Sequence, residues 1–153
     1  MKASDLMTPD AVTCPPNTNL AEAARLMLDA DCGILPVTDN GKLKGVVTDR
    51  DLFIALATRD APASRLTVGE VMQWPVFTCG PDDDVGRVLD IMKQHNVRRV
   101  PVEGFAGAVL GIVSMNDIVL AAGLKPEIRD ADVIDTLQGI CAHHFPAPHV
   151  AAA

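Results

Sequence analysis

The feature that most constrains the fold of this chain is an internal repeat. The stretch from Asp5 to Leu28 reads DLMTPDAVTCPPNTNLAEAARLML, and its order of residue classes returns 65 positions later as EVMQWPVFTCGPDDDVGRVLDIMK. Beyond a one-residue insertion in EGFAGAVL, the two copies continue in parallel. The matched pairs include Met7 with Met72, Cys14 with Cys79, Gly45 with Gly111, and Asp51 with Asp117. A single copy of about 60 residues buries little apolar surface alone, so we expect the two to pack together.

The first half of each copy predicts a brief extended segment followed by an amphipathic helix. The extended segment is expected around Val12-Thr13 in copy one and Phe77-Thr78 in copy two. From Leu20 to Leu28, apolar residues then recur with the i, i+3, i+4, i+7, i+8 spacing of a helix that buries one face. Asn19 is suited to cap the start of this helix, and Gly33 is suited to end it.

The second half of each copy predicts a β-hairpin and a closing helix. Two apolar strands are joined by Asp39-Asn40-Gly41, a strong hairpin-turn signal, in ILPVTDNGKLKGVV. Closing helices are expected at residues 51–58 and 117–122. Each copy is therefore a β-α-β-β-α unit, and the predicted fold class is α+β. The predicted boundaries are 1–62 for the first repeat, 63–124 for the second repeat, and 125–153 for a C-terminal helix and frayed tail.

Composition and motifs exclude several classes of function. The formal net charge of −7 lacks the basic field that nucleic acids demand. No stretch approaches the roughly 20 apolar residues of a membrane span, and MKASDLMTPD has acids where an export signal would be apolar. We therefore expect a cytoplasmic protein with reduced cysteines and with neither nucleic acid nor membrane as partner. A nucleophile elbow, a phosphate-cradling glycine loop and a doubled carboxylate with histidine are also missing, so we expect no enzyme.

Each predicted hairpin ends in a hydroxyl residue that is followed three positions later by an aspartate. Thr48-x-x-Asp51 and Ser114-x-x-Asp117 are, in local terms, capping boxes that start a helix. In chemical terms, a hydroxyl and a carboxylate can hold a ribose, and the neighbouring Arg50 can hold a phosphate. Both interpretations stay open, because one residue can cap a helix and bind a ligand together.

These motifs resemble the tandem cystathionine β-synthase (CBS) domain pair, or Bateman module. The resemblance covers roughly residues 1–124 and is carried by DLMTP, GILPVTDNGKLKGVVTDRDL and VRRVPVEGFAGAVLGIVSMNDI. It implies two repeats packed about a pseudo-twofold axis, adenosine ligands in the clefts between them, and a homodimer. It also implies a regulatory role toward an unknown partner protein, without catalysis. AMP, ADP or ATP is the expected ligand, with S-adenosylmethionine possible and no other cofactor.

Carried over residue by residue, the resemblance implies a set of ligand-binding positions. The ribose would face Thr48, Asp51, Ser114 and Asp117, with Arg50 and Asn116 just before the two aspartates. Arg98 and Arg99 stand where similar domains place phosphate-binding residues, and we expect them to serve one cleft and Arg50 the other. The base would need an apolar slot, formed by Val12, Thr13, Ile34 and Pro36, or by Phe77, Thr78, Val100 and Pro101. The alternatives are capping alone for the hydroxyl–aspartate pairs, a surface ion pair for Arg50, and an exposed dimer-face pair for Arg98 and Arg99.

The tail PEIRDADVIDTLQGICAHHFPAPHV predicts a further helix from Pro126 to about His144. Its predicted apolar face consists of Ile128, Ala131, Ile134, Leu137 and Cys141. Four residues with the donor chemistry of a zinc site are Cys141, His143, His144 and His149. Neighbouring His143 and His144 point to different sides of a helix, however, so a docking helix is the favoured interpretation.

Three functions therefore compete. A nucleotide sensor without chemistry of its own is the favoured one. The alternatives are a ligand-free module that acts through dimerisation or interaction, and a metal-responsive protein that uses the Cys/His tail.

Overall fold

The structure, a computed structural model, describes residues 1–142. It confirms the predicted α+β class, with two repeats followed by a C-terminal helix. The helices within this range are α1 (Ala3–Leu6), α2 (Leu20–Asp29), α3 (Asp49–Thr58), α4 (Val85–His95), α5 (Met115–Ala122) and α6 (Asp130–Cys141). The strands are β1 (Thr8–Pro9), β2 (Ile34–Asp39), β3 (Lys42–Thr48), β4 (Arg99–Glu103) and β5 (Val109–Ser114). Among these helices, none has the length and the apolar character needed to cross a membrane.

Each repeat is built around the antiparallel hairpin that its sequence predicts. In the first repeat, β2 pairs with β3, and Asn40-Gly41 forms the turn with φ values of 49° and 74°. Two consecutive residues with positive φ make the tight turn whose twist matches that of the strands. In the second repeat, β4 pairs with β5, and Arg99 lies opposite Ser114 as Ile34 lies opposite Thr48.

The extended segments predicted before α2 and α4 are shorter than a strand and form one bridge each. Cys14 and Cys79 each form a single parallel bridge, to Val37 and Val102 respectively. A proline follows each cysteine within two residues, and proline has no N–H with which to extend the ladder. The first strand of each β-α-β-β-α unit is thereby reduced to one bridging residue.

Each repeat contributes its N-terminal segment to the hydrophobic core of the other repeat. Ala3 of α1 is fully buried in the core of the second repeat, and β1 pairs with β5 of that repeat. Reciprocally, Val68 is fully buried in the core of the first repeat, and Gln73 bridges to Val46 of β3. Each repeat therefore packs on the N-terminal segment of the other one. The boundary predicted between residues 62 and 63 separates the two copies in the sequence. Each hydrophobic core, however, contains residues from both sides of that boundary.

The start of α2 follows the prediction, but its end does not. The Asn19 side chain accepts a hydrogen bond from the backbone N–H of Glu22, which confirms the predicted cap. The helix ends at Asp29, and Asp31 rather than Gly33 takes the left-handed conformation, with φ of 47°. Aspartate tolerates this conformation because its short polar side chain can hydrogen-bond locally.

The tail helix begins later and buries another face than predicted. Because α6 starts at Asp130, Ile128 lies outside the helix, and a stripe counted from it does not follow the helical turn. The buried side is formed by Val133 and Thr136, with Leu137 and Ile140 partly buried beside them. Two members of the predicted face, Ala131 and Cys141, are exposed, as is Ile134, which is 55% exposed. The helix docks, as expected, and it packs against α4 as part of the second core.

Candidate ligand-binding cleft

The two hydroxyl–aspartate pairs form the capping boxes that their sequence predicts. The Thr48 hydroxyl and backbone N–H donate to Asp51 Oδ2 at 2.7 Å and 2.8 Å. The Ser114 hydroxyl and N–H donate to Asp117 Oδ2 at 2.6 Å and 2.7 Å. In return, the N–H of each aspartate donates to the hydroxyl oxygen, at 3.3 Å and 3.2 Å. These bonds satisfy the free donors that a helix start leaves.

The remaining oxygen of each aspartate distinguishes the two copies. Asp51 Oδ1 accepts a 2.7 Å hydrogen bond from Gln73 Nε2. Within residues 1–142, Asp117 Oδ1 has no hydrogen-bond partner, because the position that corresponds to Gln73 is Thr8. Asp51 also borders a separate small hollow of about 220 Å³ instead of the main cleft. In this geometry, Gln73, which lines the main cleft, already donates to the Asp51 oxygen that the resemblance assigns to the ribose.

A cleft of about 560 Å³ lies between the two repeats. This volume falls within the range of pockets that hold small ligands. The first repeat supplies Ile34, Val46, Thr48, Asp49 and Arg50, and the second supplies Gln73, Pro75, Val76, Phe77, His95, Asn96, Val97, Arg98, Arg99 and Pro101. Ile140 of α6 completes the lining.

Three arginines give this cleft a local positive charge in an acidic chain. Arg50, Arg98 and Arg99 all line it, and Asp49 is the single carboxylate among the described residues that line it. Within residues 1–142, none of the three guanidinium groups takes part in an ion pair. A Cβ on Gly33 would lie 3.0 Å from Asp49 Oδ2 and 3.5 Å from Arg99 Nη2, so both side chains converge on this point.

The expectation that Arg50 serves one cleft and Arg98 with Arg99 the other is therefore wrong. The start of α3 and the start of β4 face the same space, because the repeats pack with these two ends together. The surface ion pair considered for Arg50 is also not formed within the described residues. The backbone N–H of Arg50 donates a hydrogen bond to Asp49 Oδ1 at 2.8 Å.

An aromatic stack forms another wall of the cleft. The rings of Phe77 and His95 are stacked, with centroids 3.6 Å apart and an interplanar angle of 9°. Phe77 was predicted from the sequence as part of a base slot, whereas His95 was not, because it stands at a helix end 18 positions away. Stacked rings offer a flat apolar face of the kind that nucleobases pack against.

The structure brings together about half of the ligand-binding positions implied by the resemblance. The residues that line the cleft are Ile34, Thr48, Arg50, Phe77, Arg98, Arg99 and Pro101. The residues that do not line it are Val12, Thr13, Pro36, Asp51, Thr78, Val100, Ser114, Asn116 and Asp117. Val100 and Pro36 are fully buried. For Val100 the reason is strand alternation, since Arg99 and Pro101 face the cleft and the residue between them faces the core.

The residues that sequence reasoning missed enter the cleft through long-range packing. Gln73 reaches it because it bridges to Val46 of the first repeat, and Asp49 reaches it at the start of α3. The repeat could have indicated Gln73, because the matching residue of copy one is Thr8, and Thr8 belongs to DLMTP, one of the motifs that carry the family resemblance. Ile140 carried no such signal, since it belongs to the tail and has no counterpart in either copy.

The site on the second repeat that corresponds to this cleft by the internal repeat has no arginines at the matching positions. There, the residues that correspond to Arg98, Arg99 and Arg50 are Gly33, Ile34 and Asn116. Ser114 and Asp117 repeat the hydrogen-bond geometry of the first copy, but not its guanidinium groups. The two ends of the pseudo-symmetric unit are therefore unequal in charge.

The cysteines and the tail give no metal site in the described part of the chain. Within residues 1–142, no cluster of three or more His, Cys, Asp or Glu side chains is arranged to hold a metal ion. Cys141 is exposed, and His143, His144 and His149 lie outside the described residues, so the zinc interpretation stays a prediction. Cys14 and Cys79 are buried free thiols, and burial raises the pKa of Cys79 to about 11.

Comparison with known proteins agrees with this architecture. The family model for the CBS domain matches residues 3–58 and again residues 68–123. The chain belongs to the CBS-domain family. A curated relative is the CBS domain-containing protein YhcV of Bacillus subtilis (strain 168), 33% identical over 116 residues that make up 76% of this chain and 81% of that protein.

Three solved structures share the fold of this CBS pair. The CBS domain pair of MJ0100, in complex with 5′-methylthioadenosine and S-adenosyl-L-methionine, is 31% identical with a TM-score of 0.73, covering 80% of this chain and 96% of that one. Hypoxic response protein I with two coordinated zinc ions is 30% identical with a TM-score of 0.72, covering 78% and 98%. CBSX2 in complex with AMP is 25% identical with a TM-score of 0.68, covering 79% and 95%. Some CBS pairs thus bind adenosine ligands.

Proposed function

We propose that this CBS pair is a regulatory sensor of a phosphorylated adenosine, AMP, ADP or ATP, and that it has no chemistry of its own. The observation that carries the proposal is the set of three guanidinium groups that form no ion pair within residues 1–142 and that line one cleft of about 560 Å³. Guanidinium groups left without carboxylate partners in a concave site match the geometry of phosphate oxygens. The AMP complex of CBSX2 supports the same ligand class.

The arginines, rather than the start of α3, carry phosphate recognition in this proposal. A helix N-terminus binds anions through its free N–H groups. Here the N–H groups of Arg50 and Asp51 already donate to Asp49 Oδ1 and Thr48 Oγ1. The phosphate is therefore left to Arg50, Arg98 and Arg99, with the helix dipole as a minor contribution.

The base and the ribose take the other parts of the cleft. The Phe77–His95 stack, with Ile34 and Pro101, supplies apolar surface for adenine. In the proposal, the ribose contacts Thr48, which lines the cleft. In the proposal, the ribose diol exchanges with Gln73 for Asp51 Oδ1, which keeps that carboxylate hydrogen-bonded in both states.

Assembly into a homodimer is part of the proposal. Helices α3 and α5 expose apolar side chains at corresponding positions: Phe53 (70% exposed), Ile54 (46%), Val119 (46%) and Leu120 (73%). Apolar side chains exposed together on a helix face mark an interaction surface. The same surface supports the alternative of a ligand-free interaction module, and in either case the output reaches a separate, unknown protein.

The test is a binding panel on the full chain. Isothermal titration calorimetry with AMP, ATP, adenosine and S-adenosylmethionine, at one fixed salt concentration, measures which ligand binds. We expect AMP or ATP to bind more tightly than adenosine, because only they engage the arginines. A ligand at one hundred times its Kd adds about 2.7 kcal/mol to the free energy of unfolding, so the melting temperature reports the same result. Equal affinity for AMP and adenosine would refute the phosphate assignment, and no binding by any of the four would leave the ligand-free module.

Zinc belongs in the same panel because of the likeness to hypoxic response protein I, whose structure holds two zinc ions. Binding of zinc by the parent and loss of it in Cys141→Ser would favour the metal-responsive alternative. The nucleotide sensor predicts that Cys141→Ser leaves AMP affinity within about two-fold of the parent, because the serine oxygen can also accept a hydrogen bond from Arg98 Nη2, which lies 3.9 Å from Cys141 Sγ.

A further inference from the structure

The tail helix contributes to the nucleotide cleft although it lies outside both CBS repeats. The family matches end at residue 123, whereas α6 spans Asp130–Cys141. Ile140 nevertheless lines the cleft. Next to it, Arg98 Nη2 lies 3.9 Å from Cys141 Sγ. The last turn of α6 thus borders both an apolar part and a cationic part of the cleft.

Three kinds of contact hold α6 on α4. Val133 is 6% exposed and belongs to the second core. An ion pair joins Lys93 of α4 to Asp135 of α6. Gly139 allows a close approach of the two helices, because a Cβ there would lie 2.6 Å from Lys93 Cγ. Since α4 also ends in His95 of the aromatic stack, one helix supports both the stack and the tail.

We propose that α6 completes the ligand cleft, so that docking of α6 on α4 and binding of a nucleotide stabilise each other. This inference rests on the function proposed above and adds its regulation. Ile140 is only partly buried in the free protein, and a ligand in the cleft covers apolar surface that Ile140 leaves open. Linkage requires the reverse effect, since the factor by which a docked tail raises nucleotide affinity equals the factor by which the nucleotide favours docking. The tail is then the element that carries occupancy of the cleft to a partner.

The first experiment measures AMP affinity of full-length variants by calorimetry. Ile140→Ala removes an apolar wall, and we expect about four-fold weaker binding for each methylene group that the ligand covers. The matched control is Ile134→Ala, the same substitution on the same helix at a position that is 55% exposed, and it should bind AMP as the parent does. Gly139→Val changes no lining residue but separates α6 from Lys93, and it should also weaken AMP binding.

The second experiment measures hydrogen exchange of α6 amides with and without AMP. We expect AMP to slow exchange at residues 137–141 in the parent and in Ile134→Ala, and to slow it less in Ile140→Ala. A cooperative melt and an unchanged helical circular-dichroism spectrum establish that each variant is folded.

The outcomes separate this inference from the function on which it rests. AMP binding by the parent that is equal in Ile140→Ala and Gly139→Val, with unchanged exchange in α6, overturns the coupling and leaves the sensor proposal standing. Failure of the parent to bind AMP or ATP overturns both proposals. Weaker binding in both tail variants, with the Ile134→Ala control unaffected, supports the coupling.

Discussion

Gln73, in the N-terminal segment of the second repeat, donates a 2.7 Å hydrogen bond to Asp51, the capping aspartate of the first repeat. The bond joins residues 22 positions apart, and the backbone of Gln73 also forms an antiparallel bridge to Val46 of β3. The Asp51 carboxylate therefore has two roles. Its Oδ2 caps the start of α3, and its Oδ1 holds the segment around Gln73 against the first repeat. Asp117 performs only the first of these roles.

This difference predicts unequal costs for two matched substitutions. Asp117→Ala should lower the free energy of unfolding by about 1 kcal/mol, the usual value of a cap. Asp51→Ala should cost about 1 kcal/mol more, because it also removes the bond from Gln73. Urea denaturation measures both. In the double-mutant cycle with Gln73→Ala, the extra cost should disappear, and equal costs for the two aspartates would contradict the role of Gln73.

Removal of one cleft arginine should separate phosphate binding from base binding. Arg99→Ala should weaken AMP about ten-fold, the lower end of the value of hydrogen bonds between charged groups, and leave adenosine within about two-fold. Arg25→Ala is the matched control, because Arg25 is exposed on α2 and does not line the cleft. Calorimetry at two salt concentrations checks the result. An equal loss for AMP and adenosine would assign Arg99 a structural role instead.

Addition of a single methyl group should disturb the exchange of segments between the repeats. A Cβ on Gly111 would lie 2.4 Å from the backbone oxygen of Thr8 in β1, so Gly111→Ala forces the two paired strands apart. We expect a loss of about 1–3 kcal/mol in the free energy of unfolding. Gly123→Ala is the control, since no atom of the described residues lies within 4 Å of a Cβ there. Chemical denaturation compares the two variants, and similar stabilities would contradict the close approach of β1 and β5.

Alkaline pH should destabilise the protein partly through Cys79. Burial raises the pKa of this thiol from 9.0 to about 11, so the folded state holds its proton at pH values where the unfolded state has lost it. The stabilisation is present in full below pH 9 and is lost as pH rises through about 11. Urea denaturation of the parent and Cys79→Ala at pH 8, 9.5 and 10.5 should show a smaller decline in the variant. Parallel declines would assign the pH dependence to other groups.

Acidic substitution on the exposed helix face should abolish self-association. Phe53 and Leu120 are 70% and 73% exposed on α3 and α5, and a buried carboxylate without a partner is strongly unfavourable at an interface. Sedimentation should show a dimer for the parent at micromolar concentration and a monomer for Phe53→Glu with Leu120→Glu. Phe105→Glu, at a loop position that is 97% exposed, should remain dimeric. A monomeric parent would remove the basis of the dimer proposal.

The sequence by itself determined the local structure of this protein. Four features could be predicted from it: the repeat, the turn at Asn40-Gly41, the cap at Asn19 and the hydroxyl–aspartate capping boxes. Each depends on residues a few positions apart, where backbone conformation and nearby hydrogen bonds decide the outcome. The same local rules predicted a docking helix after the second repeat.

Only the tertiary structure decided which surfaces meet. In the folded protein, Ala3 is buried in the core of the second repeat and Val68 in the core of the first. Arg50, Arg99 and Ile140 line the same cleft. None of these pairings leaves a periodic trace in the sequence, because each depends on the fit between faces that are far apart along the chain. The helical period of the tail was readable, but contact with α4 selected which of its faces became buried.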